Sequence, residues 1–119
     1  MKLTFIELSV FMRQIDRLGK PFSDELLASI EDDLLKDAKR GDVIQGTGGA
    51  RKARAGDPGR QKGKRGGFRY IYVYFEEFSQ IYLLLFYGKD AKADLNKNDK
   101  QMIAASIART RELLKRGIK

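Results

Sequence analysis

Residues 68–87 read FRYIYVYFEEFSQIYLLLFY, and they decide the fold. Phe68–Phe75 interleaves aromatic and β-branched residues, which suit a pleated, packed surface, so it is read as a strand. Gln80–Tyr87 is a second strand, and Glu76, Glu77, Phe78 and Ser79 join the two as a hairpin with a loop of about four residues. Ile81–Phe86 is apolar without alternation, so it is expected to be the central strand, covered on both faces. Tyr70, Tyr72 and Tyr74 fall on one face of the first strand. Packing against helices is the plainer reading of them, and stacking on RNA bases is the other.

Upstream of this hairpin the composition changes. Residues 39–69 hold ten Lys/Arg against Asp42 and Asp57, a balance of +8 that equals the net charge of the whole chain. Residues 1–38 sum to −3 (five basic, eight acidic) and residues 70–119 to +3 (nine basic, six acidic). Positive charge confined to one segment points to a polyanionic partner there. Within the segment, Val43 and Ile44 are expected to pack down ahead of Gly46-Thr47-Gly48-Gly49, a turn that needs unusual dihedrals or close backbone approach. No GKS or GKT follows those glycines, so the string is no Walker loop. Ala50–Ala55 is read as a short strand with Lys52 and Arg54 on one face and Arg51 and Ala53 on the other. The Gly, Pro, Lys and Arg of residues 56–67 cannot bury apolar surface, which predicts a mobile loop.

Nearer the N-terminus, Lys2–Ile6 alternates as a strand does, and Ser9 is placed to cap a helix that Gly19 stops. Ser23 is a natural cap for a second helix, with Phe22 and Leu27 at staple positions, a stripe of Leu26, Leu27, Ile30, Leu34 and Leu35, and Gly41 as its end. About three residues join these helices, which predicts a helical hairpin. A last helix runs from about Lys97 to Arg116, with Gly117 as its stop. The order is β-α-α-β-β-β-α over one domain, 1–119. The fold class expected is α+β: a small twisted, mainly antiparallel sheet backed by helices on one side.

The chain has no cysteine and no histidine. That excludes disulfides, zinc fingers and any Ser-His-Asp or Cys-His mechanism. The short alternating N-terminus has no basic-then-apolar signal pattern and no run of 18 apolar residues occurs, so a cytoplasmic protein away from membranes is expected. Chemistry then rests on cations: Lys52, Arg54, Lys64, Arg65, Arg69, Lys89 and Lys92. A guanidinium fork suits a phosphate gaining charge, and a lysine among other cations loses its proton more readily. An RNA 2′-OH can serve as nucleophile, which leaves no need for a metal or other cofactor.

The runs GDVIQGTGGARKAR, GKRGGFRYIYVYF and IYLLLFYGKDAKADL strongly resemble the RelE/HigB-type toxins of bacterial type II toxin–antitoxin modules. The resemblance follows the element order over nearly the whole chain and is most specific over residues 41–95. It implies a RelE-like fold and a metal-independent endoribonuclease that cuts mRNA in the ribosomal A site. It also implies a cognate antitoxin, with operator DNA contacted only through the toxin–antitoxin complex. Lys52 and Arg54 match the family's paired basic strand positions, which act as general acid/base and phosphate-binding groups. Arg69 matches the arginine of its G-[YF]-R-[LIV]-x-Y strand start, which contacts the scissile phosphate. Asp90 and Asn96 stand where the family has an arginine and a stacking tyrosine; Lys89, Lys92 and Tyr87 are the candidates to replace them. Arg51, Lys62, Lys64 and Arg65 are the further RNA contacts expected. Two other readings are a ParE-like toxin directed at gyrase and a non-catalytic RNA- or ribosome-binding module.

Overall fold

The computed structural model describes residues 2–55, 67–88 and 95–117. Almost all of the expected mobile loop at 56–67 therefore lies outside the described residues. The elements are β1 (Thr4–Glu7), α1 (Ser9–Asp16), α2 (Phe22–Lys36), β2 (Asp42–Val43), β3 (Arg51–Ala55), β4 (Phe68–Phe75), β5 (Gln80–Gly88) and α3 (Lys97–Lys115). Five strands form one mixed sheet in the order β1-β5-β4-β3-β2. All neighbours are antiparallel except β1 and β5, which run parallel. None of the described helices is long and apolar enough to cross a membrane.

The β4–β5 hairpin carries the core. β5 is flanked by β1 and β4, and β4 is the middle strand. A register shift at Ile71/Tyr72 pairs Ile71 with Leu85 and Tyr72 with Leu83, so Leu84 is the extra residue of a bulge. Leu84 and Leu85 then pack into the same cluster although they are consecutive. This accounts for the loss of alternation in the sequence.

Helices cover both faces of the sheet, and the expectation of one-sided cover is corrected here. On one face Phe11 and Ile15 of α1 and Leu26, Ile30 and Leu34 of α2 pack on Ala53, Ala55, Tyr70, Tyr72, Ile81, Leu83 and Phe86. On the other, Ile107 and Leu114 of α3 pack on Ile71, Val73, Phe75 and Leu84. An apolar helical stripe says that a helix is buried but not against which face. Phe68 stacks on Phe86 (centroids 5.4 Å apart) and also meets Phe22 of α2 (6.1 Å), so the start of β4 is held from both sides.

Neither proposed serine cap forms. Leu8 is the N-cap of α1, because its N–H bonds the Leu83 carbonyl (3.0 Å) and the chain turns straight from sheet pairing into the helix. α2 begins at Phe22 after Pro21, and the Ser23 N–H donates to the Gly19 carbonyl (2.9 Å). Ser23 is thus inside the helical turn and buried, with its hydroxyl unpaired among the described residues. Five residues, not three, separate the two helices. Val43 is half exposed on the edge strand β2 where burial was expected, and only Ile44 reaches the core.

α2 stops at Lys36, with Asp37 extended, not at Gly41. Residues 37–41 instead form a strap across β3 and β4. The Tyr72 hydroxyl donates to the Ala38 carbonyl (2.8 Å) and accepts from the Gly41 N–H (3.0 Å). Tyr72→Phe should therefore destabilise the protein by about 1–3 kcal/mol, since it leaves a buried N–H without an acceptor. Urea unfolding with an unchanged m-value checks this; an unchanged midpoint would show the strap to be held otherwise.

Candidate nucleic-acid interface

The strand register assembles the basic residues. Along β3, Ala53 and Ala55 are buried toward α1 and α2, so the alternation turns Lys52 and Arg54 to the opposite face. Arg54 pairs with Arg69 on β4, and Arg69 pairs with Tyr87 on β5, giving the cross-strand row Arg54–Arg69–Tyr87. Beside it runs Asp42–Lys52–Ile71–Leu85. The register thus brings Arg69 beside Lys52 and Arg54, which lie more than a dozen residues before it in the chain, a meeting that the sequence left open. The stacked Phe68 and the buried Tyr70 hold Arg69's strand on either side of it.

An open cleft of about 370 Å³ lies here, lined by Arg40, Asp42, Lys52, Ala53, Arg54 and Arg69. Among the described lining residues, four cations stand against one carboxylate, a formal charge of +3. None of these five charged side chains is in an ion pair among the described residues. Arg69 Nη1 is buried and has no hydrogen-bond partner among them. A buried, charged donor without an acceptor is costly, and an anion in the cleft would supply one. Nowhere among the described residues do three Asp or Glu side chains gather as metal donors.

Arg40 and Asp42 are the site residues that sequence reasoning missed. β2 is only two residues long, so the β3 edge beyond it is open at Arg54. Arg40 fills the gap: its Nη1 donates to the Arg54 carbonyl (3.1 Å) and to the Tyr70 hydroxyl (2.9 Å). Burial pushes the Tyr70 phenol up to about 12, against a partial opposing effect of Arg40, so the hydroxyl stays neutral. Asp42 is paired in register with Lys52. The only sequence signal for either residue was its place in the basic segment.

Arg51 is not part of the cluster. It faces the other way and its Nη1 donates to the Lys39 (3.1 Å) and Gly41 (2.7 Å) carbonyls, bracing the strap where an RNA contact was expected. Tyr70 and Tyr72 are fully buried, which removes them as stacking surfaces. Tyr87 is half-buried beside the α3 cluster, opposite Arg69. Asn96, where the resembled family carries a tyrosine, caps α3: its side chain accepts from Asp99 N (2.8 Å) and Asp99 Oδ2 accepts from Asn96 N (3.1 Å). Lys62, Lys64, Arg65, Lys89, Asp90 and Lys92 lie outside the described residues.

Gly41 positions the cleft by its lack of a side chain. A Cβ there would lie 2.9 Å from the Lys52 carbonyl oxygen and 3.0 Å from Tyr72 Cε1. Gly41→Ala is expected to cost about 1–3 kcal/mol and to displace β3 at Lys52. Thermal unfolding measures the first effect, and nuclear magnetic resonance shifts confined to β2 and β3 report the second. Wild-type stability would show that the strap yields freely.

The chain matches no known family model. Among solved structures it is similar to a mutant of the E. coli toxin RelE in the free state, at 14% sequence identity. That likeness has a TM-score of 0.55 and covers 90% of this chain and 98% of that one. The fold is the RelE-like α+β fold.

Proposed function

We propose that this protein is a RelE-type toxin, a ribosome-dependent endoribonuclease that cuts mRNA in the ribosomal A site and is neutralised by a cognate antitoxin. The observation that carries this reading is the buried Arg69 guanidinium nitrogen, without a partner among the described residues, in a cleft whose described lining has a formal charge of +3. The motif resemblance at Lys52, Arg54 and Arg69 and the RelE-like fold support it. In this mechanism the RNA 2′-oxygen attacks the adjacent phosphorus and the 5′-oxygen leaves, giving a 2′,3′-cyclic phosphate. Arg69 and Arg54 hold the phosphate as its oxygens gain charge, the 2′-OH gives up its proton and the departing 5′-oxygen receives one, and Lys52 takes part in that transfer. Lys89, Lys92 and Tyr87 complete the site, and Lys62, Lys64 and Arg65 extend the contact along the RNA backbone. The protein acts in the cytoplasm and reaches operator DNA only within its antitoxin complex.

Primer extension on mRNA after induction tests the reading. Rapid arrest of translation with codon-phased cuts is expected. A DNA-damage response would point to gyrase instead. The helix cap at Asn96, in place of a stacking tyrosine, favours as a second reading an RNA- or ribosome-binding module without cleavage. Arrest without any cuts would establish that one.

A further inference from the structure

We propose that Arg40 is a phosphate-contacting residue of the cleft, holding the RNA phosphate next to the reacting one. The inference rests on the reading of the cleft as an RNA site. A guanidinium carries five N–H donors, two of them on Nη1. Among the described residues Arg40 makes two side-chain bonds, both from Nη1, to the Arg54 carbonyl and the Tyr70 hydroxyl. The three donors on Nε and Nη2 have no protein acceptor among the described residues, and the side chain lines the cleft. It is half-buried and anchored at one end, so little rotamer freedom remains to be lost when an anion binds.

Its place in the fold assigns it a different phosphate from that of Arg69. Arg69 rises from β4, while Arg40 sits beyond the open edge of β3, about two strand spacings away, or roughly 10 Å. One phosphate group does not span the two anchor points, but neighbouring phosphates of a single strand do. Asp42, the only carboxylate among the described lining residues, is too little to neutralise Arg40 along with the other three cations.

Binding of a short labelled oligouridine, followed by fluorescence anisotropy over a range of salt, tests this. Each single-strand phosphate contact contributes a slope of about −0.7 in log K against log salt. Arg40→Ala should make the slope shallower by about 0.7, and Arg40→Lys, which keeps the charge but not the two Nη1 bonds, should restore it. A folded Arg40→Ala protein with the wild-type slope would overturn the proposal. So would a slope that changes with polyglutamate and not with RNA, since the cleft would then serve an acidic protein. Should the variants fail to fold, the Arg40 Nε–H resonance of the wild-type protein decides: it should shift on adding the RNA, and an unmoved resonance sinks the idea. Absence of any salt-dependent RNA binding by wild-type protein is a different failure, that of the RNA reading itself.

Discussion

Arg69→Ala is expected to abolish toxicity and to slow mRNA cleavage by about 10²–10³, the usual loss when one donor to a transition-state oxyanion is removed. The guanidinium has a nitrogen already stripped of water and lacking a partner, so the protein does not have to desolvate it when the phosphate arrives. That makes its stabilisation larger in the transition state, where the phosphate oxygens carry more charge, than in the ground state. The fold should survive, because the neighbours Phe68 and Tyr70 hold the strand independently: the first through Phe22 and Phe86, the second through complete burial and Arg40. Growth arrest on induction is the readout, with circular dichroism and antitoxin binding as controls. A folded variant cutting mRNA at near wild-type rate would sink the active-site assignment.

Lys52→Ala should cost about 10²–10⁴ in rate, the worth of general acid–base assistance. Lys52 is exposed on β3 and makes no ion pair among the described residues, so its ammonium group is available to substrate. Histidine is absent from the chain, and Lys52 is the one lysine among the described lining residues, beside three arginines, a residue type whose guanidinium is not deprotonated in proteins. The pH profile discriminates here. If Lys52 moves the proton, its loss should flatten a limb of the rate–pH curve as well as lower it. A uniform drop with the profile unchanged in shape would assign Lys52 to phosphate binding alone.

The sequence was legible where one physical constraint acts along one segment. β4 is found at the residues the aromatic alternation marks, and β5 runs only one residue further than expected. Period two also sorted Lys52 and Arg54 from Ala53, and antiparallel pairing then set Arg69 opposite Arg54. What stayed hidden depends on where distant segments end. Arg40 joins the cleft because β2 pairs with β3 only from Asp42 onward and leaves the Arg54 carbonyl for it, a register that is set by a strand fourteen residues away. Arg51 looked like its neighbours in charge, yet the strap's carbonyls claim it. The serine caps failed because sheet pairing at Leu8 and the turn after Gly19 start each helix before a hydroxyl can.

The pairing of Arg54 with Arg69 has a thermodynamic side. Like charges set directly opposite on neighbouring strands oppose the pairing that places them there, by some tenths of a kcal/mol up to about 1 kcal/mol. The repulsion therefore holds the protein below the stability its sheet would otherwise reach. Arg54→Met, which keeps most of the aliphatic stem and discards the charge, should melt higher by about 2 °C for a gain of about 0.5 kcal/mol, while losing activity. Inorganic phosphate should raise the melting point of the wild type more than that of the variant, since only the wild type has the full repulsion to relieve. Selection for heat tolerance alone would erode this site first.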